Sequence, residues 1–240
     1  MASAQKRIAP RPLKIALIGY GKMGKMVEKI ALERGHTLVS MDAADICIDF
    51  THPDQVVENI RKVASLKKPL VVGTTGWYER LPEVQKLVEQ QGIGFLYSPN
   101  FAVGVSLFLK MVAEAARLMD PFDEFDVAVN EIHHNEKVDS PSGTAKDIGR
   151  AVLAHMQRKK KLTSELDGRL KADEVHISSM RCGYVPGTHS LIFDSPKESI
   201  TLTHTARGRE GFASGAVAAA EWLHGKTGFF TLQDMLGWKL

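Results

Sequence analysis

A glycine-rich motif between a predicted strand and a predicted helix constrains the fold of this chain more than any other feature. Residues 13–18 form a short apolar run, as expected for a buried parallel strand. Residues 19–24, GYGKMG, match the pattern G-x-G-x-x-G, and apolar residues at helical spacing follow as far as Gly35. With a strand before it and a helix after it, this pattern indicates a dinucleotide-binding unit. The alternative is a glycine-rich βα turn without a ligand.

The residues in and after this motif suggest how a dinucleotide would bind. Gly19 permits the tight turn, Gly21 lets a pyrophosphate approach the backbone, and Gly24 allows close packing of helix on strand. Asp42 stands near the end of the second predicted strand, where a carboxylate accepts hydrogen bonds from the ribose of NAD(H). Asp42 is alternatively a simple turn residue, and Lys22 can meet the 2′-phosphate of NADP(H), so the choice of cofactor stays open.

Strands and helices alternate through the first hundred residues, which predicts a Rossmann-type doubly wound parallel sheet. Small residues at the carboxyl end of the fourth predicted strand, Gly73, Thr74 and Thr75, lie where open α/β sheets bind ligands. We expect them to line the nicotinamide side, with an ordinary turn as the alternative. The further strands are predicted at 37–41, 46–50, 70–73 and 93–97, and the helices between them at 54–66 and 81–91.

In the second half of the chain, strands and helices no longer alternate regularly, which predicts a second α+β domain with a mixed sheet. A long apolar helix is expected at 103–119, and helices at 211–224 and 232–236 are expected to return to the first domain. Domain boundaries are therefore predicted at 1–102 with 207–240 and at 103–206. Basic residues 158–161 are expected to be a solvated helix end or loop. The strands of this half are predicted at 125–132, 175–181, 188–194 and 199–206.

Residues 131–145, EIHHNEKVDSPSGTA, combine proton carriers with a predicted helix start. His133 and His134 follow a strand, and a histidine exchanges protons near neutral pH. Lys137 and the helix N-terminus at Ser142, Gly143 and Thr144 can hold a carboxylate or a phosphate. Pro141 is expected at the first helical position. A single histidine at a strand end is more often structural, but this combination favours a catalytic, anion-binding site.

Composition excludes several other classes of protein. The net charge of +3 is too small to indicate nucleic-acid binding, and no apolar run approaches the roughly 20 residues needed to cross a membrane. The two cysteines form neither a metal-binding spacing nor a disulfide framework, which favours a reducing, cytoplasmic location and predicts no metal site. Residues 1–12 are expected to be a loose tail, with a targeting role as the lesser alternative.

These motifs resemble those of the 4-hydroxy-tetrahydrodipicolinate reductase family, also called dihydrodipicolinate reductases, of lysine and diaminopimelate biosynthesis. The resemblance covers residues from 14 to about 234. The 131–145 stretch is its most specific part. Two departures are a short segment between the second and third strands, where the family sets cofactor choice, and Ser140, where many members have alanine. The other matching motifs are residues 19–24, 49–51, 73–76, 98–101, Arg181, 185–187 with His189, and 212–217.

The resemblance implies a two-domain oxidoreductase, usually a homotetramer assembled through the second domain, that reduces a cyclic dicarboxylate with NADH or NADPH. It makes His133 the proton donor or acceptor and Lys137 the second proton donor. It also makes His134, Ser142, Gly143 and Thr144 binders of the substrate carboxylates. The resemblance makes Gly73–Thr75 and Ser98–Phe101 contacts on the nicotinamide side. Together with the glycine motif and Asp42, the expected cofactor-binding residues are Gly19, Tyr20, Gly21, Lys22, Met23, Gly24, Asp42, Gly73, Thr74, Thr75, Ser98, Pro99, Asn100 and Phe101.

Two other functions are compatible with parts of this sequence. A Rossmann dehydrogenase acting on another small acid would have the same first domain, because fold alone does not determine substrate. A nucleotide-binding sensor without catalytic activity would keep the glycine motif, but it would not need the intact histidines and lysine of the 131–145 stretch. Arg181, in a glycine- and proline-containing loop, either reaches an anion or has only a structural role.

Overall fold

The computed structural model describes residues 11–237, and the chain divides into two compact units. The first unit runs up to Ala102 and resumes at Arg209, and the second unit is Val103–Gly208. The second boundary thus falls after residue 208 rather than after the predicted 206. Most of the predicted N-terminal tail, residues 1–10, lies outside the described residues.

The described residues contain eleven strands and seven α-helices. The helices are α1 (Lys22–Glu33), α2 (Pro53–Ser65), α3 (Leu81–Gln91), α4 (Val103–Met119), α5 (Gly143–His155), α6 (Glu210–Leu223) and α7 (Leu232–Leu236). The strands are β1 (Lys14–Ile18), β2 (Thr37–Leu38), β3 (Ile46–Asp49), β4 (Leu70–Val72), β5 (Gly94–Tyr97), β6 (Asp126–His133), β7 (Lys161–Thr163), β8 (Glu174–Arg181), β9 (Thr188–Asp194), β10 (Ser199–Thr205) and β11 (Gly228–Thr231).

The first unit is a six-stranded parallel sheet in the order β11-β5-β4-β3-β1-β2. Helices cover both faces. One face packs on apolar residues of α1 and α6, such as Val27 and Val217, and the other face packs on those of α2 and α3, such as Ile60 and Val84. Because both faces are buried, the strands are apolar without alternation. This confirms the predicted Rossmann-type doubly wound fold.

The second unit has a five-stranded mixed sheet in the order β10-β9-β6-β8-β7. Strand β9 is antiparallel to β6 and β10, whereas β8 is parallel to β6 and β7. Helices α4 and α5 pack on one face through residues such as Val112 and Ile148. Burial along β6 alternates accordingly, with Val127, Val129, Glu131 and His133 buried. The prediction of a second α+β domain with a mixed sheet is confirmed.

Among residues 11–237, no helix combines the length and apolar character required to cross a membrane. Both cysteines are free thiols, Cys47 buried and Cys182 exposed.

Several predicted elements differ from the structure. Strand β2 ends at Leu38, and Asp42 lies exposed in a short 3-10 helix, Met41–Ala43, so it does not end a strand. Pro141 is not the first helical residue, because Ser142 caps α5 and Gly143 begins it. Strands β7 and β11 were not predicted. Both are short and add to sheet edges by pairing with β8 and β5 respectively, which local patterns do not reveal.

The basic run at 158–161 is only partly the solvated segment that its charges predicted, because Lys160 and Lys161 are exposed whereas Arg158 and Lys159 are not. Lys159 is only 3% exposed, and its ammonium donates to Asp126 Oδ1 at 2.6 Å, Ala172 O at 2.8 Å and Glu174 O at 3.0 Å. The guanidinium of Arg158 donates to the backbone oxygens of Asp120 and Phe125. These two cations satisfy acceptors around the edge of the second sheet, because buried charges are kept where several hydrogen bonds replace water.

We expect Lys159→Met to lower the free energy of unfolding by about 2–4 kcal/mol, since hydrogen bonds to charged groups contribute roughly 1.5–3 kcal/mol each. Lys160→Met is the matched control, because Lys160 is exposed and such surface changes stay within about 0.5 kcal/mol. Urea unfolding followed by circular dichroism measures both variants. Equal stability of the two would contradict the structural role of Lys159.

Candidate active site

The glycine motif in the first unit forms the turn from β1 into α1. Gly19 has a φ of +90°, and a Cβ on Gly24 would lie 2.2 Å from the carbonyl oxygen of Gly19. A Cβ on Gly21 would meet nothing within 4 Å, so the backbone there is open to a ligand. Gly21 is also the N-cap of α1, and the first turn carries no acidic side chain. The free N–H groups of this helix end are therefore suited to a pyrophosphate.

A cleft of about 410 Å³ lies beside this turn. Predicted cofactor residues from the start of α1, 21–23, and from the loop after β4, 73–75, line it together. Arg209, at the N-cap of α6, also lines it and adds a guanidinium that the sequence interpretation missed. No local pattern identifies Arg209, because it comes from the far end of the chain. The lining residues are Gly21, Lys22, Met23, Phe50, Thr51, Pro53, Gly73, Thr74, Thr75 and Arg209.

A second cleft, of about 190 Å³, shares Met23, Phe50 and Gly73 with the first. The predicted residues Pro99, Asn100 and Phe101 line it together with Phe212. Ser98 is buried and donates from Oγ to the carbonyl oxygen of Asn100 at 2.7 Å, which shapes this loop. Tyr20 and Asp42 line neither cleft. Tyr20 is 59% exposed and hydrogen-bonds to Glu28.

Asp49 holds the loops of this cleft in place. It is fully buried at the end of β3, and its Oδ1 accepts hydrogen bonds from Thr51 Oγ1 at 2.8 Å and Thr74 Oγ1 at 2.7 Å. Its Oδ2 accepts one from Asn59 Nδ2 at 2.9 Å. A buried carboxylate needs such donors, so Asp49 ties the carboxyl ends of β3 and β4 together. A lone acid at the end of an apolar strand was the available sequence signal.

In the second unit, Glu131 and His133 lie on the buried face of β6. The Nδ1–H of His133 donates to Glu131 Oε2, because an ionised carboxylate only accepts. Glu131 Oε1 accepts from Arg181 Nη2 at 3.0 Å and from the backbone N–H of Ser142 at 3.2 Å. Glu131 is 0% exposed, and two of its donors, His133 and Ser142, belong to the predicted site. The sequence interpretation assigned it no role.

His189 of β9 completes this cluster. Its ring lies 5.0 Å from that of His133, edge to face, and its Nε2 is 2.9 Å from Ser142 Oγ. The same Ser142 oxygen accepts from the N–H of Ala145 at 3.2 Å and caps α5. Serine is a preferred residue at this capping position because it satisfies a free N–H of the first turn.

Lys137 lies in the loop after β6 and pairs with Asp139, Nζ to Oδ1, at 2.6 Å. Arg181 fixes this loop from β8 by donating to the backbone oxygens of Lys137 at 3.3 Å and Asp139 at 2.6 Å. His134 is half-buried just past the end of β6. Its Nδ1 is buried and has no hydrogen-bond partner within the described part of the chain.

Burial and hydrogen bonding shift the pKa values of the ionisable groups in this cluster. Burial raises the pKa of Glu131, but hydrogen bonds from Ser179, His133 and Arg181 outweigh it and hold this pKa below its usual value. Burial lowers the pKa of His133, and Glu131 opposes this shift. Burial and the neighbouring His133 lower the pKa of His189 to about 4, so that His189 is neutral at pH 7.

Glu131, His133 and His189 each offer an atom of a metal-ligating type, and these atoms all lie within 4.8 Å of one another. Both oxygens of Glu131 are already hydrogen-bonded, one of them by the cation Arg181, which makes the cluster a hydrogen-bonded network. The predicted absence of a metal site stays a prediction.

Comparison with known proteins covers both units. The family model "Dihydrodipicolinate reductase, N-terminus" matches residues 35–101, and "Dihydrodipicolinate reductase, C-terminus" matches residues 104–236. A 4-hydroxy-tetrahydrodipicolinate reductase from Christiangramia forsetii is 37% identical to this chain over 236 residues, covering 93% of this chain and 98% of the relative.

Solved structures share the fold. Dipicolinate-bound dihydrodipicolinate reductase from Paenisporosarcina sp. TG-14 superposes with a TM-score of 0.74 at 21% identity, over 94% of this chain and 100% of that one. A probable dehydrogenase from Thermotoga maritima gives a TM-score of 0.55 at 10% identity, over 92% of each chain. The family matches and the 37% identity confirm the resemblance seen in the sequence: this chain belongs to the dihydrodipicolinate reductase family of oxidoreductases.

Proposed function

We propose that this protein reduces 4-hydroxy-tetrahydrodipicolinate to tetrahydrodipicolinate with NADH or NADPH, in lysine and diaminopimelate biosynthesis. One observation carries the proposal. In a chain of this family, the second unit holds His133, Lys137 and the N-terminus of α5 in one hydrogen-bonded network around Glu131. A dehydrogenase for another small acid would share the cleft of the first unit, but it would not require this network.

The first unit suits a reduced nicotinamide cofactor, which supplies the hydride when bound. The N–H groups at the start of α1 and the guanidinium of Arg209 would hold the pyrophosphate, because both bring positive charge to one cleft. Gly73, Thr74 and Thr75 would support the nicotinamide side. Lys22 lines the cleft, so it is a candidate partner for the 2′-phosphate of NADPH. Asp42 does not line the cleft and does not end a strand, so it lacks the position predicted for a ribose-binding carboxylate.

The second unit suits the proton-transfer half of the reaction. Addition of hydride to an unsaturated ring leaves negative charge on the substrate, which a nearby acid must neutralise. His133 is held with Nδ1–H on Glu131, so its Nε2 is the atom that exchanges the proton. Lys137 is the second proton donor. Its ammonium is paired with Asp139, and a substrate carboxylate would compete with Asp139 for it.

The start of α5 suits a substrate carboxylate. Gly143 is exposed, and a Cβ there would meet nothing within 4 Å, so the helix N-terminus is accessible to an anion. His134 lies before this helix, its Nδ1 has no hydrogen-bond partner among residues 11–237, and we assign it to the same substrate. A dicarboxylate needs donors at two points, and Lys137, His134 and the Gly143–Thr144 backbone would provide them.

We also propose a cytoplasmic homotetramer assembled through the second unit. Side chains on the face of β6, β8 and β9 opposite the helices are half-exposed or exposed, among them Ile132, Met180 and Ile192. Apolar side chains on an open sheet face are typical of an assembly surface. The unpaired thiols Cys47 and Cys182 suit a reducing compartment.

The first test is a coupled assay in which the synthase for this substrate generates it from pyruvate and aspartate semialdehyde. We expect cofactor oxidation that depends on the protein, and the ratio of rates with NADH and NADPH gives the preferred cofactor. If the folded protein binds cofactor but oxidises neither NADH nor NADPH, the substrate assignment is wrong. The candidates are then a dehydrogenase for another small acid and a sensor without catalytic activity.

His133→Gln should reduce kcat by about 10²–10⁴, the range for loss of a general acid, while cofactor affinity is retained. His155→Gln is the control, because His155 is exposed at the end of α5 and should be replaceable without effect. Steady-state kinetics and cofactor titration by fluorescence measure these quantities. Unchanged turnover in His133→Gln would exclude His133 as the proton donor.

Light scattering after gel filtration should give four times the 26.4 kDa of one chain. Ile192→Glu should shift the mass to smaller species, since it places a charge on the exposed face of the second sheet. Lys160→Glu, on an exposed loop, should leave the mass unchanged. A monomer in the parent protein, or a tetramer unaffected by Ile192→Glu, would argue against this surface.

A further inference from the structure

Glu131 occupies a position that the sheet reserves for apolar side chains. It shares the buried face of β6 with Val127 and Val129, which pack on α4 and α5. A carboxylate is unfavourable there unless it is fully hydrogen-bonded. One of its oxygens is hydrogen-bonded to His133, and the other is linked through Arg181 to the loop of Lys137, the second proton carrier of the proposed reaction.

One oxygen, Oε2, accepts the Nδ1–H of His133. This hydrogen bond fixes the ring and its tautomer, since the proton stays on Nδ1 and Nε2 is left for exchange. The Nε2 side of the ring adjoins Gly187, where a Cβ would lie only 2.9 Å from Nε2. The absence of a side chain at Gly187 keeps that atom unobstructed.

The other oxygen, Oε1, anchors the loop that carries Lys137. Arg181 donates to Oε1, and the same guanidinium donates to the backbone oxygens on both sides of the Lys137–Asp139 turn. Oε1 also accepts from the N–H of Ser142, the cap of α5. The position of Lys137 and the start of the helix therefore depend on the same carboxylate.

We propose that Glu131 is the positioning residue of the proton-transfer site. Its Oε2 orients His133, and its Oε1 holds Arg181, which in turn positions the loop that carries Lys137. This deepens the proposed function and rests on it. The competing explanation is that Glu131 only stabilises the sheet, in which case its loss would affect stability without changing the tautomer of His133.

Within residues 11–237, few charged and titratable groups face His133. They are Glu131 from its own strand, Arg181 from β8, His189 from β9 and Lys137 from the following loop. Of these, only Glu131 favours the protonated ring. Without its charge the pKa of His133 falls, so the protonated donor is lost at a lower pH. The alkaline limb of the kcat profile must then move to lower pH.

Glu131→Gln tests the proposal, because it keeps the volume and removes the charge. If the amide oxygen accepts from Arg181 and Ser142, its NH₂ group faces His133 Nδ1 and forces the proton to Nε2. We expect kcat to fall by about 10²–10³ with the KM for the reduced cofactor unchanged within about twofold, since loss of the correct tautomer is costly in comparable sites. The alkaline limb should shift to lower pH.

Glu174→Gln is the matched control. Glu174 is another buried carboxylate in this sheet, but its partners are Lys161 and the N–H of Lys171, remote in sequence from the 131–145 stretch. We expect it to lower stability and leave kcat and the pH profile as in the parent protein. An identical pH profile in Glu131→Gln and Glu174→Gln would overturn the positioning role.

Nitrogen NMR of histidine-labelled protein separates this proposal from the proposed function, because it needs no turnover. The His133 signals, assigned by their loss in His133→Gln, should show an Nδ1–H tautomer in the parent protein and an Nε2–H tautomer in Glu131→Gln. An Nε2–H tautomer in the parent protein would overturn the proposal even if Glu131→Gln does not fold. An inactive parent protein with the expected tautomers would contradict only the substrate assignment.

Discussion

Each unit contains a fully buried carboxylate on a central strand, and the loops around it are arranged to satisfy that charge. Asp49 accepts hydrogen bonds from Thr51, Thr74 and Asn59 in the first unit. Glu131 accepts them from His133, Arg181 and Ser142 in the second. A buried anion tolerates no missing donor, so each carboxylate makes the loops at its site interdependent. Both loop sets carry residues that we assign to cofactor or substrate.

The surrounding apolar packing allows this arrangement to be rigid. The first sheet is enclosed by helices on both faces, and the second is covered by α4 and α5 on the face that carries Glu131. Low polarity around the carboxylates strengthens their hydrogen bonds and makes alternative loop positions unfavourable. Strands and helix ends thus position Glu131, His133 and Ser142, and Arg181 holds the loop that carries Lys137, as proton transfer at a defined atom requires.

The sequence was sufficient for features that depend on local periodicity. Helices α3, α4 and α7 and strand β9 have the predicted bounds, because apolar spacing marks their extent and a glycine or proline lies near at least one end of each. The sequence did not predict features that depend on contacts between residues far apart in the chain. Strand β11 forms by pairing with β5, and Lys159 is buried because Ala172 and Glu174 offer it acceptors. At the candidate site, the 131–145 motif was readable, whereas Arg209 and the central position of Glu131 follow only from tertiary packing.

The return of the chain to the first unit has a consequence for its biosynthesis. Strand β11 pairs with β5, and α6 supplies Ala216 and Leu223 to a core shared with β1 and β3. A ribosome must therefore release the whole of Val103–Gly208 before the first sheet acquires its last edge strand. The second unit is continuous in sequence and is synthesised in one piece. During translation it can reach its native contacts while the nucleotide-binding sheet, though begun first, still waits for its final strand.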